Sequence, residues 1–451
     1  MARLHYARVD EFWRKEEKYA YLDEQQHLEQ IEWQEIEPDA KHNWLTEGMR
    51  DEFEDFIPVG TKSTKEGLGT DNALFRNYGR GVETTRDAWL YNYQVDRLTA
   101  NVNRFINDYN EQVRKWTSQK RSTDEIDNFV LYDGTRLKWS SRLKENLAAG
   151  VLSSFDSAAI RRARYRPFTS KWVYFDETLI HRRGQFLSIF PTVSTENENQ
   201  ILWVKVGSDW ATFALVVDIL PDLLPQGGSQ CFPFYTYDEH GTNRRENITD
   251  WALEQFRRHY ADKKIPKWDI FHYVYAMLHH PLYRERYAAN LKRELPRIPF
   301  APDFRAFADI GKRLAEIHVN YEQQPEYPLE KIESSGAALD WRVEKMKLSK
   351  DKRTLSYNDF LTLSGIPPEV FEYRLGNRSA LDWIIDQYQV NTDKRSGITN
   401  DPNRADDPEY IVRLVGQVIT VSLETVSLVN SLRELPILAT SAASSKDAEC
   451  P

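Results

Sequence analysis

Apolar positions recur along this chain with two periods, and the changes of period divide it. Leu4-His5-Tyr6-Ala7-Arg8-Val9 alternates with period two, as a half-buried strand does, and so does Ile31-Glu32-Trp33-Gln34-Glu35-Ile36. The charged stretch between them, roughly 10–30, predicts a helix, and Pro38-Asp39 to Asn43 predicts a turn. Gly60, Gly67, Gly69, Gly79 and Gly81 punctuate a loop-rich segment with room for short strands. Further on, Val102, Phe105, Ile106, Tyr109, Val113 and Trp116 share one face of an amphipathic helix. The polar run from Thr117 to Asp127 predicts the first domain boundary.

From about 128 to 237 the period returns to two. Strands are predicted at 172–176, 186–190, 201–206 and 212–219, each rich in β-branched or aromatic residues. A Pro/Gly-rich loop from Leu224 to Gln230 then delivers Cys231-Phe232-Pro233. Helical spacing takes over in 251–260, 270–278, 281–295 and 304–320. The last block holds a short β-like piece and two helices, one striped by Leu381, Ile384, Ile385 and Tyr388, the other by Ile411, Val415 and Val418. Together these patterns predict an α+β fold: a partial sheet at the front, a mixed strand-and-helix block, and a largely helical C-terminal half. The divisions fall at 1–120, 121–330 and 331–436, with a small, polar, disordered tail at 437–451.

Length and charge narrow the picture. At 451 residues the chain exceeds one compact core. Its net charge of −9 speaks against a protein coated in basic groups, but leaves room for a local basic groove. The two cysteines, Cys231 and Cys450, make neither a zinc pattern nor a disulfide framework, which suits a reducing cytoplasm. The start lacks a signal-peptide apolar run, and no uninterrupted apolar segment has membrane-spanning length.

Against that acidic background one stretch stands out: Arg161-Arg162-Ala163-Arg164-Tyr165-Arg166-Pro167-Phe168, then Lys171-Trp172 and Arg182-Arg183. Guanidinium forks match phosphate oxygens or the O6/N7 edge of guanine, and rings can stack on bases. The alternative is a set of helix-terminal charges running into a core strand. Arg161, Arg162, Arg164, Arg166, Lys171, Arg182 and Arg183 are the DNA-contact candidates, while Tyr165, Pro167 and Phe168 suit a framework role. Gln230 and Arg297 fit either base readout or turn stabilisation.

Catalytic motifs are absent. Gly60-Thr61-Lys62-Ser63 has the wrong glycine spacing for a phosphate loop, and Gly67-Leu68-Gly69 is no dinucleotide fingerprint. There is no His-Glu-x-x-His site and no Gly-x-Ser-x-Gly elbow. Asn400-Asp401-Pro402-Asn403 and Ile366-Pro367-Pro368-Glu369 both miss the Asn-Pro-Pro-Tyr pattern of amino-methyltransferases. Pro38-Asp39-Ala40-Lys41 is a weak metal-nuclease candidate, and His279-His280 a weak metal pair. No catalytic residue, metal or cofactor is assigned.

An ordered set of segments resembles the C-terminal specificity region of type ISP single-polypeptide restriction–modification enzymes. It comprises Thr85-Arg86-Asp87-Ala88-Trp89, Tyr165-Arg166-Pro167-Phe168, Gln230-Cys231-Phe232-Pro233, Tyr283 to Tyr287, Leu295 to Phe300, Ser379 to Ile385 and Ser396 to Asn403. The front, with His5-Tyr6-Ala7 and Pro38 to Leu45, resembles the region C-terminal to the catalytic motif in that family's adenine-methyltransferase domain. The resemblance implies a target-recognition module that binds double-stranded DNA. S-adenosylmethionine is expected only with a complete methyltransferase domain. Two alternatives stand beside it. One is a subunit of a split adenine-specific methyltransferase, completed by a methyltransferase or translocase chain encoded nearby. The other is an inactive truncated fragment, to which the abrupt start is suited.

Overall fold

The computed structural model describes residues 3–9, 13, 15–38, 42, 44, 46, 48–65, 72–119, 123–196, 198–205, 212–224 and 228–438. The loop candidate at Asp39–Lys41, the Gly67/Gly69 pair, Cys450 and nearly all of the tail from 437 lie outside these residues. The fold is α+β, as the periodicities predict, and it contains three four-stranded sheets.

The first sheet orders its strands Leu220–Pro221, Ile160–Arg166, Thr169–Tyr174 and Tyr91–Asn92. Ile160–Arg166 and Thr169–Tyr174 form a hairpin closed by the two residues Pro167-Phe168. Proline suits the first turn position, but the second requires a positive φ, and Phe168 adopts +53°. A bulky residue is strained there. Its ring is fully buried, 5.2 Å from Tyr321 and 5.9 Å from His318, and that packing offsets the strain.

The second sheet runs Gly79–Arg80, Gln230–Pro233, Ile201–Lys205 and Phe213–Val217, all antiparallel. Ile201–Lys205 and Phe213–Val217 read as continuous apolar runs because both faces are covered. Ile201, Trp203, Phe213, Leu215 and Val217 join a core with the first sheet and the C-terminal block. Leu202, Val204, Ala214 and Val216 join a second core with the central helices. One sheet is therefore the wall between the two hydrophobic cores.

The helices follow the apolar spacing and its caps. Val95–Gln119 buries Leu98, Val102, Phe105, Ile106, Tyr109, Val113 and Trp116 on a single face. Asp250–His259 starts at Thr249, whose hydroxyl accepts from Ala252 N at 3.1 Å, and ends on Arg257, Arg258 and His259, which complement the helix dipole. Ala380–Gln387 carries a reciprocal capping box between Ser379 and Asp382. Tyr410–Arg433 is long and apolar enough to cross a bilayer, yet most of its apolar window is buried inside the protein.

Several expectations change. Segment 186–190 forms a helical turn, Phe186–Ile189, because Phe186 and Ile189 are both fully buried at a three-residue spacing and Pro191 follows at once. The continuous helix predicted over 281–295 is two short ones, Pro281–Arg286 and Ala288–Leu291. The C-terminal block is less helical than predicted: it holds the third sheet, in the order Glu330–Glu333, Leu361–Ser364, Thr354–Ser356, Lys347–Leu348. Nor does the polar run near 120 separate two folding units. Gly79–Arg80 and Tyr91–Asn92 lie before it, yet they pair with Gln230–Cys231 and Trp172–Val173 after it. A polar loop reports solvent exposure, not which strands it connects.

Lys267–His279 and Phe304–Val319 approach each other closely. A Cβ on Gly311 would sit 1.9 Å from the carbonyl oxygen of His272. Gly311→Ala is therefore expected to destabilise the protein by about 2–3 kcal/mol, since backbone cannot yield as a side chain can. Urea unfolding measures this; an unchanged midpoint would refute the close packing.

Candidate nucleic-acid interface

The arginine-rich stretch is a central strand, and that decides where its charges go. Arg161 is buried; its Nε donates to Glu196 Oε1 at 2.8 Å and its Nη2 to Phe190 O at 3.1 Å. Arg164 is buried too, donating from Nη1 to Ser170 Oγ at 2.8 Å and Tyr321 Oη at 2.6 Å. Arg166 donates to Asp222 Oδ1 at 2.7 Å, and Asp222 is itself buried beneath Trp203, whose Nε1 reaches its backbone oxygen. Lys171 has its Nζ 4.1 Å from the Tyr165 ring centroid and 4.6 Å from that of Tyr93. Residue chemistry alone points all four toward DNA. Instead they are internal: all four are buried in the hairpin, while Arg162 on the same strand stays half-exposed, and a charge placed inside must find a partner.

The cost of that burial shows in the acids. Burial pushes Glu196 up to about 7, opposed by Arg161. Burial likewise pushes Asp222 up to about 7, opposed by Arg166. Tyr165 donates to Asp87 Oδ2 at 3.1 Å, tying the Thr85–Trp89 segment to the hairpin. Two of the recognisable segments, Thr85–Trp89 and Ser396–Asn403, also meet along a groove. Asp87, Ala88 and Asp393 line both a recess of about 580 Å³ and a polar one of about 360 Å³ next to Arg166 and Lys171.

The remaining candidates lie at the surface. Arg182 has 63% of its side chain exposed and touches Glu83 only at 3.9 Å. Arg183 meets Glu177 at 3.3 Å, and Arg162 lies over Trp172, 3.9 Å from Glu322. Arg182 reaches a recess of about 170 Å³ that the sequence did not bring together, lined also by Lys65, Tyr78, Arg80, Gln185, the glycines 79, 81 and 184, and one acid, Glu83. Among the described residues no carboxylate lies within ion-pair distance of Lys65 or Arg80. Burial and then the charge of Arg80 hold the Lys65 ammonium below its usual range, so these cations crowd one another.

Glycine makes that crowding possible. A Cβ on Gly81 would lie 2.3 Å from Asp222 O, and Gly184 has φ +59° with Arg80 O 2.8 Å from its would-be Cβ. Arg80 sits in register with Gln230, which continues to Val204 and Ala214, so the recess opens at one end of the second sheet. The Oε1 of Gln230 is buried without a partner. The signal in the sequence was the Gly79-Arg80-Gly81 triplet. Arg297 is otherwise engaged, with Glu54 at 2.9 Å and Glu294 at 3.5 Å. His279 and His280 point their rings at backbone oxygens of Tyr275 and Leu435, and among the described residues no three His, Cys, Asp or Glu cluster as metal ligands would.

A first sheet pinned by buried ion pairs, beside a second with cations gathered at one edge, defines an α+β module. The chain belongs to the type ISP C-terminal specificity domain family, whose model matches residues 73–414. Solved structures agree. A nuclease-deletion mutant of the type ISP restriction–modification enzyme LlaGI in complex with a DNA substrate mimic is 31% identical at a TM-score of 0.83, covering 97% of this chain and 39% of that one. A DrdV–DNA complex is 34% identical at a TM-score of 0.83, covering 95% and 43%. The ATP-dependent type ISP enzyme LlaBIII bound to DNA is 31% identical at a TM-score of 0.78, covering 90% and 26%. The chain thus spans less than half the length of each of these relatives. Comparison with curated proteins finds no match.

The internal role of Lys171 has a pH signature. Burial, and next the Arg166 charge, bring its ammonium down from 10.5 to about 7. The unfolded chain therefore binds more protons between those values, and stability gains as pH rises through the window. Lys171→Met is expected to flatten that rise and to add about 1–3 kcal/mol at pH 6. Urea titrations at pH 6 and pH 9 check both; a variant less stable at pH 6 would mean the ammonium is favourably held.

Proposed function

We propose that this chain recognises a specific DNA sequence as the specificity region of a restriction–modification system. The observation that carries the reading is membership of the type ISP specificity family across 73–414, with relatives solved on DNA. Lys65, Arg80 and Arg182 supply phosphate contacts, joined by Arg162 and Arg183 at the surface, and these fix the register. Gln185, which lines the recess, and Gln230, in register with Arg80, are the base-contact candidates. Arg161, Arg164, Arg166 and Lys171 hold the framework behind them. The acidic total keeps the rest of the surface off non-specific DNA. We assign no S-adenosylmethionine to this chain, because its glycine motif and the Asn-Pro-Pro-Tyr segment are missing from the sequence. A cytoplasmic setting suits the buried free thiol of Cys231.

A second reading, a subunit of a split adenine methyltransferase, is favoured by the front of the chain. Among the described residues the ribbon of Leu4–Tyr6 and Gln34–Ile36 pairs with no other strand, and helix Lys15–Gln25 buries none of its residues. Tyr19, Leu22, Leu28, Trp33 and Trp44 are all exposed there, an apolar surface suited to a catalytic chain. Methyl transfer appearing only when the two chains are mixed would support it, and none on mixing would count against it.

Selection of randomised duplexes tests the leading reading. One enriched site should bind about 10³-fold or more above scrambled duplex. Arg80→Glu with Arg182→Glu should weaken binding at low salt and lower the salt slope by about one to two. Absence of any enriched site would overturn the reading, whereas an enriched site with unchanged affinity in the double variant would move the interface elsewhere.

A further inference from the structure

Beyond the cationic edge, the chain contains a cavity of about 510 Å³ between the short helices at 281–291, the turn Pro368–Glu372 and the helix Tyr410–Arg433. Its walls are largely apolar, formed by Pro281, Ala288, Leu291, Val426 and Val429. Arg284 lines it as well. That guanidinium donates from Nη2 to the backbone oxygen of Thr212 at 2.6 Å, and among the described residues no carboxylate lies within ion-pair distance of it. The buried arginines Arg161 and Arg166 each have an acid; the half-buried Arg284, like the buried Arg86, has none among the described residues.

Two further lining residues carry polar groups. Tyr373, 5% exposed, has a buried hydroxyl with no partner. His279 gives its Nδ1 to the Tyr275 carbonyl at 2.9 Å, which fixes the proton there and leaves Nε2 as an acceptor. Burial holds the His279 ring down to about 4, hence neutral, and also lowers Arg284 from its usual value. Around the lining Lys292, Arg374 and Arg433 outnumber Glu285 and Glu372. A half-buried fork without an anion among the described residues, a hydroxyl without an acceptor and partly apolar walls are one half of a recognition site.

We propose that this cavity binds a small organic acid: a carboxylate or sulfonate on Arg284 and Tyr373, with an aromatic or aliphatic body against Val426, Val429 and Leu291. The size and the apolar part of the walls favour such a molecule over a nucleic-acid strand. The fork geometry favours a bidentate oxyanion over a halide.

The probe is 8-anilinonaphthalene-1-sulfonate, titrated into the intact chain by calorimetry and fluorescence, with N-phenyl-1-naphthylamine as the same body lacking the anion. One saturable site per chain is expected, with the neutral amine bound at least about tenfold more weakly. Arg284→Met should cost about tenfold, Tyr373→Phe a smaller factor, and Val429→Trp should remove binding by filling the cavity. Val429 is only partly buried, so that variant keeps the test open if Arg284→Met fails to melt cooperatively. Binding that does not saturate, equal affinity for the neutral amine, or indifference to Val429→Trp would overturn the proposal. Duplex selection with the Val429→Trp variant should be unchanged, which separates this site from the DNA-reading edge.

Discussion

Charge burial in the central hairpin is the constraint on which the rest of this structure depends. Arg161, Arg164 and Arg166 enter the first sheet at buried positions of a central strand. Each must therefore meet a group brought from elsewhere: Glu196 from a helical turn, Tyr321 from the end of the central helices, Asp222 from beside the parallel edge strand. Such pairs add little net stability over apolar packing, but breaking one strands a charge in low dielectric. They therefore work as registry pins. In this arrangement of the hairpin, the Leu220–Pro221 strand and the helical block all three arginines are satisfied together.

The second sheet carries the consequence outward. Its alternating residues divide between the two cores, so it cannot slip by one residue without exchanging both sets. With the sheet fixed, the positions of Arg80 and Gln230 at its end are fixed as well, and Asp222, pinned by Arg166, lies against Gly81. A rigid scaffold beneath an exposed cationic recess is what accurate readout of a polymer requires, because phosphate contacts set register only when their spacing does not vary.

Much of the fold is legible in the chain. Strands Ile201–Lys205 and Phe213–Val217 and helices Val95–Gln119, Asp250–His259 and Phe304–Val319 lie where the periods put them. Segment 186–190 misleads because so short an apolar run is too little to separate a strand from a helical turn. The boundary near 120 misleads because ladder partners far apart in sequence leave no mark on the loop between them. The candidate site is only half legible. Arg162, Arg182 and Arg183 reach the surface, while Arg161, Arg164, Arg166 and Lys171 do not; a run of arginines looks the same in sequence on a solvated loop or a buried strand.

By itself, then, the sequence determined the α+β class, the main helices and the family, since these rest on local periodicity and on ordered short segments. Tertiary structure alone decided the fate of the stretch from Arg161 to Arg183. Whether a guanidinium meets water or a buried carboxylate depends on what the chain folds over it, and Glu196, Asp222 and Tyr321 lie 35, 56 and 157 residues from their arginines. The same holds for the edge where Lys65, Arg80 and Arg182 meet. Their proximity exists only because glycines let two distant segments touch.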